Sequence, residues 1–179
     1  MTKVRAVFLD RDGVLNCSEV RRGKPVAPRR LADYRLLPGV AKAVQSLKRA
    51  GFLVIVVTNQ PDIGNGLVDA SVVQAMHAKL RSLVAVDDIR VCPHRQDQGC
   101  ACRKPRPGML LAAAKDWKID LKNSFMVGDR DGDIVAGQAA GCYTLLINRH
   151  YSELRCAAPD RVARSLPAGV RIILEHRTS

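Results

Sequence analysis

Aromatic residues are scarce in this chain, which has three Phe, three Tyr and one Trp among 179 residues. Single-stranded nucleic acids bind largely by stacking their bases on aromatic rings, so this scarcity argues against such a binding surface. No apolar run approaches the length of about 20 residues that a membrane-spanning helix needs. The first residues, MTKVRAVFLD, lead straight into an apolar run and lack a signal-peptide core. We therefore expect a soluble, cytoplasmic protein without a membrane partner.

Acidic residues are also few: the chain has 17 Asp and Glu residues and 29 Lys and Arg residues, which gives a net charge of +12. This excess restricts the partners to anions without choosing among nucleic acid, a membrane surface and small phosphorylated substrates. A disulfide framework is absent as well, since three of the six cysteines crowd between positions 92 and 102. The length and the 47% hydrophobic content suit one compact domain, residues 1–179.

Apolar runs alternate with amphipathic stretches along the chain. The runs that predict strands lie at 4–9, 52–57, 88–92, 124–127 and 143–147. The stretches that predict helices lie at 38–50, 69–84, 109–117 and 166–175, and a further Ala- and Gly-rich helix ends near position 140. This alternation predicts a three-layer Rossmann-like sandwich, an α/β fold whose central, mostly parallel sheet carries helices on both faces.

Two acidic residues follow the first predicted strand, in the stretch FLDRDGVLN at 8–16. Residues i and i+2 of an extended chain point the same way, so Asp10 and Asp12 can converge at the sheet edge. A few carboxylates with waters suit Mg²⁺. An ionised Asp10 is also a competent nucleophile toward phosphorus, and Asp12 can protonate a leaving oxygen and later deprotonate water. The alternative is that the pair only caps a turn or a helix.

Two further strand ends carry polar residues. The sequence TNQ at 58–60 ends the second strand, where the Thr58 hydroxyl and backbone N–H groups can hold a phosphate or, alternatively, cap the next turn. Asp129 follows the fourth strand and can complete the Mg²⁺ site. Asp133, one turn into the next helix, can hold Asp129 in place by hydrogen bonding. Helix N-capping by Asp131 is the alternative, and it is compatible with these roles.

Two pairs of metal-ligand residues are separated by five residues, in the pattern C-x-H and C-x-C. They are Cys92, His94, Cys100 and Cys102. Thiolate and imidazole ligands in two tight pairs are typical of tetrahedral Zn²⁺, and four protein ligands leave no open position, so the site should be structural. A disulfide is disfavoured because we expect a reducing compartment and because C-x-C pairs bridge poorly.

Two cations, Arg103 and Lys104, directly follow this cluster. A rigid metal loop would hold both in place. Lysine is a compact charge suited to a phosphoryl oxygen, and arginine adds a bidentate fork. Plain surface charge is the alternative, but the adjacency to the zinc cluster favours a functional interpretation.

The segment 14–36 has no clean periodicity, and Pro25 and Pro28 predict an irregular path. A loop of this length in a compact domain is usually functional or disordered. We interpret it as a flap over the site, with a solvated surface insertion as the alternative. Its basic residues are Arg21, Arg22, Lys24, Arg29, Arg30 and Arg35.

These motifs, in this order, resemble the haloacid dehalogenase (HAD) superfamily of phosphatases. The matching stretches are FLDRDG, VVTNQ, RKP and VGDRDGD, which span residues 5–147. The zinc cluster is similar to that of the small branch whose members lack a large cap domain. Within that branch, DRDGVLN at 10–16 and CACRKPRPGML at 100–110 resemble the enzymes that act on sugar bisphosphates.

The resemblance implies a phosphatase with catalytic Mg²⁺, structural Zn²⁺ and an aspartyl-phosphate intermediate. Asp10 would be the nucleophile, and Asp12 would be the acid and then the base, with its backbone carbonyl on Mg²⁺. Thr58 and Lys104 would hold the phosphoryl group, and Asp129 would bind Mg²⁺. The positions implied in substrate binding are Ser18, Glu19, Val20, Arg21, Asn59, Gln60, Arg103 and Arg130.

The implied substrate is D-glycero-D-manno-heptose 1,7-bisphosphate, which would lose its 7-phosphate to a monomeric enzyme of nucleotide-activated heptose biosynthesis. Its second phosphate would meet the basic flap. The alternatives are a histidinol-phosphate phosphatase, a nucleic-acid 3′-phosphatase and a zinc-stabilised module that binds nucleic acid without catalysis. A binding module leaves unexplained why acids gather at strand ends, where they would repel a nucleic-acid backbone. We therefore expect a small anionic substrate and no nucleic-acid partner.

Overall fold

The structure is a computed structural model that describes residues 4–21, 24–151 and 156–176. Its strands are β1 (Ala6–Leu9), β2 (Glu19–Arg21), β3 (Lys24–Val26), β4 (Leu53–Asn59), β5 (Asp88–Cys92), β6 (Phe125–Gly128), β7 (Tyr143–Ile147) and β8 (Arg161–Ala163). Its α-helices are α1 (Val40–Arg49), α2 (Pro61–Gly64), α3 (Ala70–Leu83), α4 (Gly108–Trp117), α5 (Asp131–Ala140) and α6 (Leu166–His176). None of these helices is long and apolar enough to cross a lipid bilayer.

Six of the strands form one sheet in the order β5-β4-β1-β6-β7-β8, and every neighbouring pair in it is parallel. The register places Phe8 beside Ile55 of β4 and beside Met126 of β6. The predicted Rossmann-like α/β fold is confirmed. Strand β8 was not among the predicted strands, because three residues with an arginine at the start carry too little hydrophobic pattern to be recognised.

Alternate residues of β1 point into two separate hydrophobic cores, as the period of a strand requires. Val7 and Leu9 belong to one core, and Ala6 and Phe8 belong to the other. The first core is closed by α1, α3 and α6, which contribute Val44, Leu47, Met76, Leu80, Val170 and Ile173. The second is closed by α4 and α5, which contribute Met109, Leu110, Ala113, Ala136 and Ala140. The molecule therefore has the three expected layers.

Helix α1 shows how local sequence sets an element. Val40, Val44 and Leu47 recur at helical spacing and are buried against the sheet. The chain leaves the helix at Gly51, whose φ of 83° lies in the left-handed region that glycine adopts at little cost. Burial of one such leucine stabilises the fold by roughly 1.5–3 kcal/mol relative to an exposed one.

The basic segment after β1 is more regular than the sequence predicted. Strands β2 and β3 pair antiparallel, with Val20 opposite Pro25, and form a two-stranded ribbon. Pro25 fits because a ribbon of two strands has only edges, where a missing N–H is tolerated. Arg22, one of the basic residues of the expected flap, lies outside the described residues. In the described part of this insertion, the ribbon and a 3-10 helix at Leu31–Asp33 are the only elements, and no large cap domain is present.

Candidate active site

The candidate site lies where β4, β1 and β6 end side by side at one edge of the sheet. Because these strands are parallel, their carboxyl ends bring Thr58, Asp10 and Asp129 together, and all three are buried. Asp10 and Asp129 line a cavity of about 530 Å³. Thr58 lies behind the cavity wall, and its hydroxyl accepts a hydrogen bond from Nε2 of Gln60 at 2.8 Å.

Lys104 is buried at the floor of the cavity and bridges two carboxylates. Its Nζ donates to Oδ1 of Asp10 and to the carbonyl oxygen of Val57, each at 2.7 Å. The same Nζ lies 2.7 Å from Oδ1 of Asp133. Burial by itself lowers the pKa of Lys104, but the charges of Asp10 and Asp133 outweigh it and raise that pKa above its usual value. Lys104 is therefore a fixed cation at the end of β1.

Three carboxylates form a group that could hold a metal ion. Ligand oxygens of Asp10, Asp129 and Asp133 all lie within 4.8 Å of one another. Oδ2 of Asp133 accepts the backbone N–H groups of Asp129 and Arg130, each at 3.1 Å. Both oxygens of Asp129 are buried and lack a well-aligned hydrogen bond within the described residues, although the hydroxyl of Tyr151 faces this carboxylate. Unpaired buried oxygens beside two further carboxylates fit a hard divalent cation such as Mg²⁺.

The electrostatics of this group also favour a cation. Burial raises the pKa of Asp10 to about 6 despite the opposing charge of Lys104. Burial, followed by the charges of Asp10 and Asp133, raises the pKa of Asp129 well above its usual range. A divalent cation would offset this repulsion and keep the carboxylates ionised. Gly13 leaves room for the arrangement, because a side chain there would collide with the carboxylate of Asp129.

Asp12 lines the cavity, but its carboxylate lies outside the group of three acids. It accepts hydrogen bonds from Asn16 Nδ2 at 2.8 Å and from Gln60 Nε2 at 2.7 Å. The guanidinium of Arg11 donates to both of its oxygens at 3.0 Å. Asp10 and Asp12 therefore face the same cavity, and the carboxylate of Asp12 is oriented by its own set of hydrogen-bond donors.

The amides of Asn59 and Gln60, which we expected to bind substrate, are engaged within the protein. Asn59 hydrogen-bonds the backbone N–H and the carbonyl of Lys104, and Gln60 donates to Asp12 and Thr58. Both residues line the cavity, so they form its wall while holding catalytic candidates in place.

The four positions expected to bind substrate in the flap divide between two environments. Ser18 lines both the cavity and a smaller pocket of about 230 Å³, whereas Val20 borders only the smaller one. Arg21 forms an ion pair with Glu19 at 2.6 Å on the outer part of the ribbon. The ribbon instead presents Lys24 to the cavity. Since strand neighbours alternate in direction, the sequence could not have shown which cation faces inward before the pairing was known.

Two arginines that follow motifs complete the basic lining. Arg103, which precedes Lys104 in the sequence, and Arg130, which follows Asp129, both border the cavity. Nη1 of Arg103 is buried and has no hydrogen-bond partner within the described residues. A buried guanidinium nitrogen without a partner is costly unless a ligand meets it, so Arg103 is suited to bind an anionic substrate.

The four predicted zinc ligands come together beside this wall. His94 Nδ1 lies 3.5 Å from Cys92 Sγ and 3.2 Å from Cys102 Sγ, and Cys100 Sγ lies 3.5 Å from both other sulfurs. Three thiols and one imidazole at these separations fit tetrahedral Zn²⁺. The cluster packs against α2, where Gly64 donates its N–H to the carbonyl of Pro93 at 2.9 Å.

Some residues of the site were missed by the sequence analysis. Arg11 and Asn16 hydrogen-bond to Asp12 and hold it in place. His77, on helix α3, lies with its Nε2 3.0 Å from Nη1 of Arg11. Tyr151 faces Asp129 and Ser18, and burial, followed by the charge of Asp129, raises its pKa. The signal for His77 was its place on α3, where it lies at helical spacing among Val73, Met76 and Leu80.

At the strand ends of this parallel sheet, a lysine bridges a group of acids, and basic side chains surround the cavity beside them. This arrangement is that of an enzyme that hydrolyses phosphoric monoesters. Comparison with known proteins narrows this class. The sequence pattern of the HAD-hydrolase-like family matches residues 101–168. The D-glycero-beta-D-manno-heptose-1,7-bisphosphate 7-phosphatase of Pseudomonas putida is 40% identical over 149 residues, which cover 80% of this chain and 82% of that protein. The chain therefore belongs to the HAD-like hydrolase family, and the resemblance seen in its sequence is confirmed.

Further relatives agree over nearly the whole chain. The D-glycero-D-manno-heptose-1,7-bisphosphate 7-phosphatase of Thermosynechococcus vestitus is 37% identical, with 96% of each chain covered. The crystal structure of the D,D-heptose 1,7-bisphosphate phosphatase from B. bronchiseptica, complexed with magnesium and phosphate, has a TM-score of 0.81 at 32% identity. That match covers 96% of this chain and 99% of the other.

Proposed function

We propose that this protein removes the 7-phosphate of D-glycero-D-manno-heptose 1,7-bisphosphate in a Mg²⁺-dependent reaction. The observation that carries the proposal is the contact of Lys104 with Asp10 and Asp133 at the floor of a basic cavity. Relatives whose sequences match most of the chain are named for this reaction. The cavity of about 530 Å³ is of a size that suits a sugar carrying two phosphates.

In the first step, a carboxylate oxygen of Asp10 attacks phosphorus, and the bond between phosphorus and the sugar oxygen breaks. Asp12 gives its proton to that oxygen, so the sugar leaves as an alcohol and Asp10 becomes an aspartyl-phosphate. Lys104 offsets the negative charge on the transferring group. Arg103 has a buried donor free within the described residues to bind a substrate oxygen.

In the second step, Asp12 takes a proton from water, which attacks phosphorus and releases inorganic phosphate from Asp10. The hydrogen bonds from Asn16 and Gln60 hold Asp12 in place for both proton transfers. Asp10 and Asp129 would hold Mg²⁺, with the backbone carbonyl of Asp12, and Asp133 would hold Asp129. When bound, Mg²⁺ would stabilise negative charge on the phosphoryl oxygens.

The four-residue cysteine and histidine cluster would hold structural Zn²⁺. Its Cys100–Cys102 pair directly precedes Arg103 and Lys104, so a filled site would fix the backbone that carries both cations. We further propose one domain, residues 1–179, that acts as a monomer on a small substrate and not on nucleic acid. The cytoplasmic location stays a prediction.

The test is phosphate release with Mg²⁺ from both anomers of heptose 1,7-bisphosphate, histidinol phosphate and a 3′-phosphorylated DNA end. We expect clear preference for one heptose bisphosphate, no activity in EDTA, and none in Asp10→Asn with an unchanged circular dichroism spectrum. Preference for histidinol phosphate or DNA would agree with the proposed phosphatase mechanism but would contradict the proposed substrate. A normal rate in Asp10→Asn would overturn the aspartyl-phosphate.

A further inference from the structure

Arg11 has no exposed surface, although it carries a charge that cannot be removed in a protein. A buried guanidinium is strongly unfavourable unless acceptors meet its N–H groups. The proposed mechanism gives this residue no part in the chemistry. It nevertheless lies between Asp10 and Asp12 in the sequence, and its guanidinium contacts the carboxylate of Asp12, the proposed acid and base.

The main partner of Arg11 is the carboxylate of Asp12. Nη2 donates to Oδ1 and to Oδ2, each at 3.0 Å, and Nε donates to Oδ1 at 3.2 Å. A planar fork that meets both oxygens fixes the orientation of a carboxylate as well as its position. Together with Asn16 and Gln60, Arg11 therefore fixes the orientation of the Asp12 carboxylate.

The other end of the guanidinium rests on His77 of α3, whose Nε2 lies 3.0 Å from Nη1 of Arg11. Because arginine can only donate, Nε2 must accept, and the ring must be neutral with its proton on Nδ1. Burial, followed by the charge of Arg11, lowers the pKa of His77 to about 4, which agrees with a neutral ring. The ring of Tyr34 lies 5.7 Å from the guanidinium carbon and closes a third side.

We propose that His77 is a positioning residue for leaving-group protonation: by accepting a hydrogen bond from Arg11, it holds the guanidinium fork that aims Asp12. This inference rests on the proposed phosphatase function. It assigns a role in the reaction to a residue that does not border the cavity.

The physical reason is the cost of an unmet buried donor. Without an acceptor at position 77, Nη1 of Arg11 would have to turn toward another oxygen or toward water. Since the guanidinium is planar and rigid, that rotation would also move the nitrogens that bind Asp12. A displacement of about 1 Å at a reacting group costs about a hundredfold in rate.

The test compares His77→Leu, which removes the acceptor, with His77→Gln, which offers a carbonyl oxygen instead. Val73→Ala, a buried position on the same face of α3 whose side chain cannot accept a hydrogen bond from Arg11, controls for general loosening of the helix. Leaving-group release is measured in single turnovers with enzyme in excess, so that only the first step is observed. The substrates are the heptose 1,7-bisphosphate and p-nitrophenyl phosphate, whose leaving group departs without a proton.

We expect His77→Leu to slow release of the sugar about tenfold to a hundredfold, while release of p-nitrophenol changes less than threefold. His77→Gln should restore most of the sugar rate, and Val73→Ala should slow both substrates alike if it slows either. An equal loss for both substrates in His77→Leu, or no loss, would overturn the inference. If the parent protein itself releases nothing from either substrate, the proposed function fails instead, and with it the premise of the test.

Discussion

The side-chain amide of Asn59 hydrogen-bonds both backbone polar groups of Lys104. Nδ2 donates to the carbonyl oxygen at 3.0 Å, and Oδ1 accepts the backbone N–H at 3.1 Å. This pairing joins the end of β4 to the loop that follows the zinc cluster. It fixes the backbone from which the side chain of Lys104 reaches Asp10.

Asn59→Ala should therefore impair catalysis by displacing Lys104. We expect kcat/KM to fall about tenfold to a hundredfold and the free energy of unfolding to fall by roughly 1–3 kcal/mol, because backbone groups of Lys104 lose their partners. Asn65→Ala, which removes an exposed amide 3.4 Å from Gln96, is the matched control and should change neither quantity. Steady-state kinetics and urea denaturation check both. Unchanged kinetics in Asn59→Ala would contradict this role.

The second phosphate of the substrate should depend on Lys24 more than on Arg21. Lys24 borders the cavity, whereas Arg21 is paired with Glu19. Lys24→Met should raise KM for the bisphosphate about tenfold with little change in kcat, because the contact is the same in ground and transition states. Heptose 7-phosphate, which lacks the second phosphate, should be unaffected. A larger effect of Arg21→Met would show that the other strand of the ribbon binds the substrate.

Asp129→Asn should raise the thermal stability of the metal-free protein and weaken its binding of Mg²⁺. Without Mg²⁺ the variant should unfold at a higher temperature than the parent, because a buried charge repelled by Asp10 is removed. Mg²⁺ at about 100 times its Kd should raise the parent Tm by about 5–10 °C and the variant Tm much less. Asp97→Asn, an exposed acid paired with Arg95, should respond to Mg²⁺ like the parent. An equal Mg²⁺ response in Asp129→Asn would exclude this carboxylate as a ligand.

The zinc cluster should hold one metal ion per chain and support the cations beside it. Cys100→Ser should lose most of the zinc, and kcat/KM should fall about tenfold because Arg103 and Lys104 follow the cluster directly. Cys156→Ser, an exposed thiol outside the cluster, should keep both the zinc and the activity. Metal analysis of the purified proteins together with kinetics distinguishes the two. Full activity in zinc-free protein would show that the loop does not need the metal.

His77 should make the stability of the fold depend on pH. Its pKa falls from 6.5 to about 4 in the folded protein, chiefly because of burial. The unfolded chain therefore binds more protons between these values, so the contribution of His77 to stability is full above pH 6.5 and is lost as the pH falls toward 4. The difference in unfolding free energy between the parent and His77→Gln, followed from pH 7 to pH 4, isolates this group. A difference that does not vary with pH would show that the ring is not kept neutral by the fold.

Much of the fold could be read from the sequence, because strand and helix periods are local. The stretch 143–147 was predicted with the bounds of β7, and the ends of α1 and α3 lie within two residues of the predicted ones. The strand-end positions of Asp10 and Asp129 followed from the same pattern. Pairing within 14–36 could not be predicted, since Pro25 obscured a ribbon whose strands have three residues each.

Side-chain direction at the site was less predictable than position. The i, i+2 rule predicts that Asp10 and Asp12 face the same point, and both line the cavity, but the rule does not show that Arg11 orients the carboxylate of Asp12. His77 occupies the buried stripe of α3, yet the stripe does not show what it meets there. That partner lies 66 residues away, and only packing of α3 against the sheet brings the two together.

The sequence by itself determined the order of strands and helices, the acids at strand ends and the spacing of the cysteine cluster, because each depends on neighbours within a few residues. Only the tertiary structure decided which side chains face the cavity and which hold others in place. Lys104 meets Asp10 across 94 positions, and Asn59 meets Lys104 across 45. Contacts between residues so far apart in sequence form only when the two helical layers pack on the sheet and close the core on each of its faces.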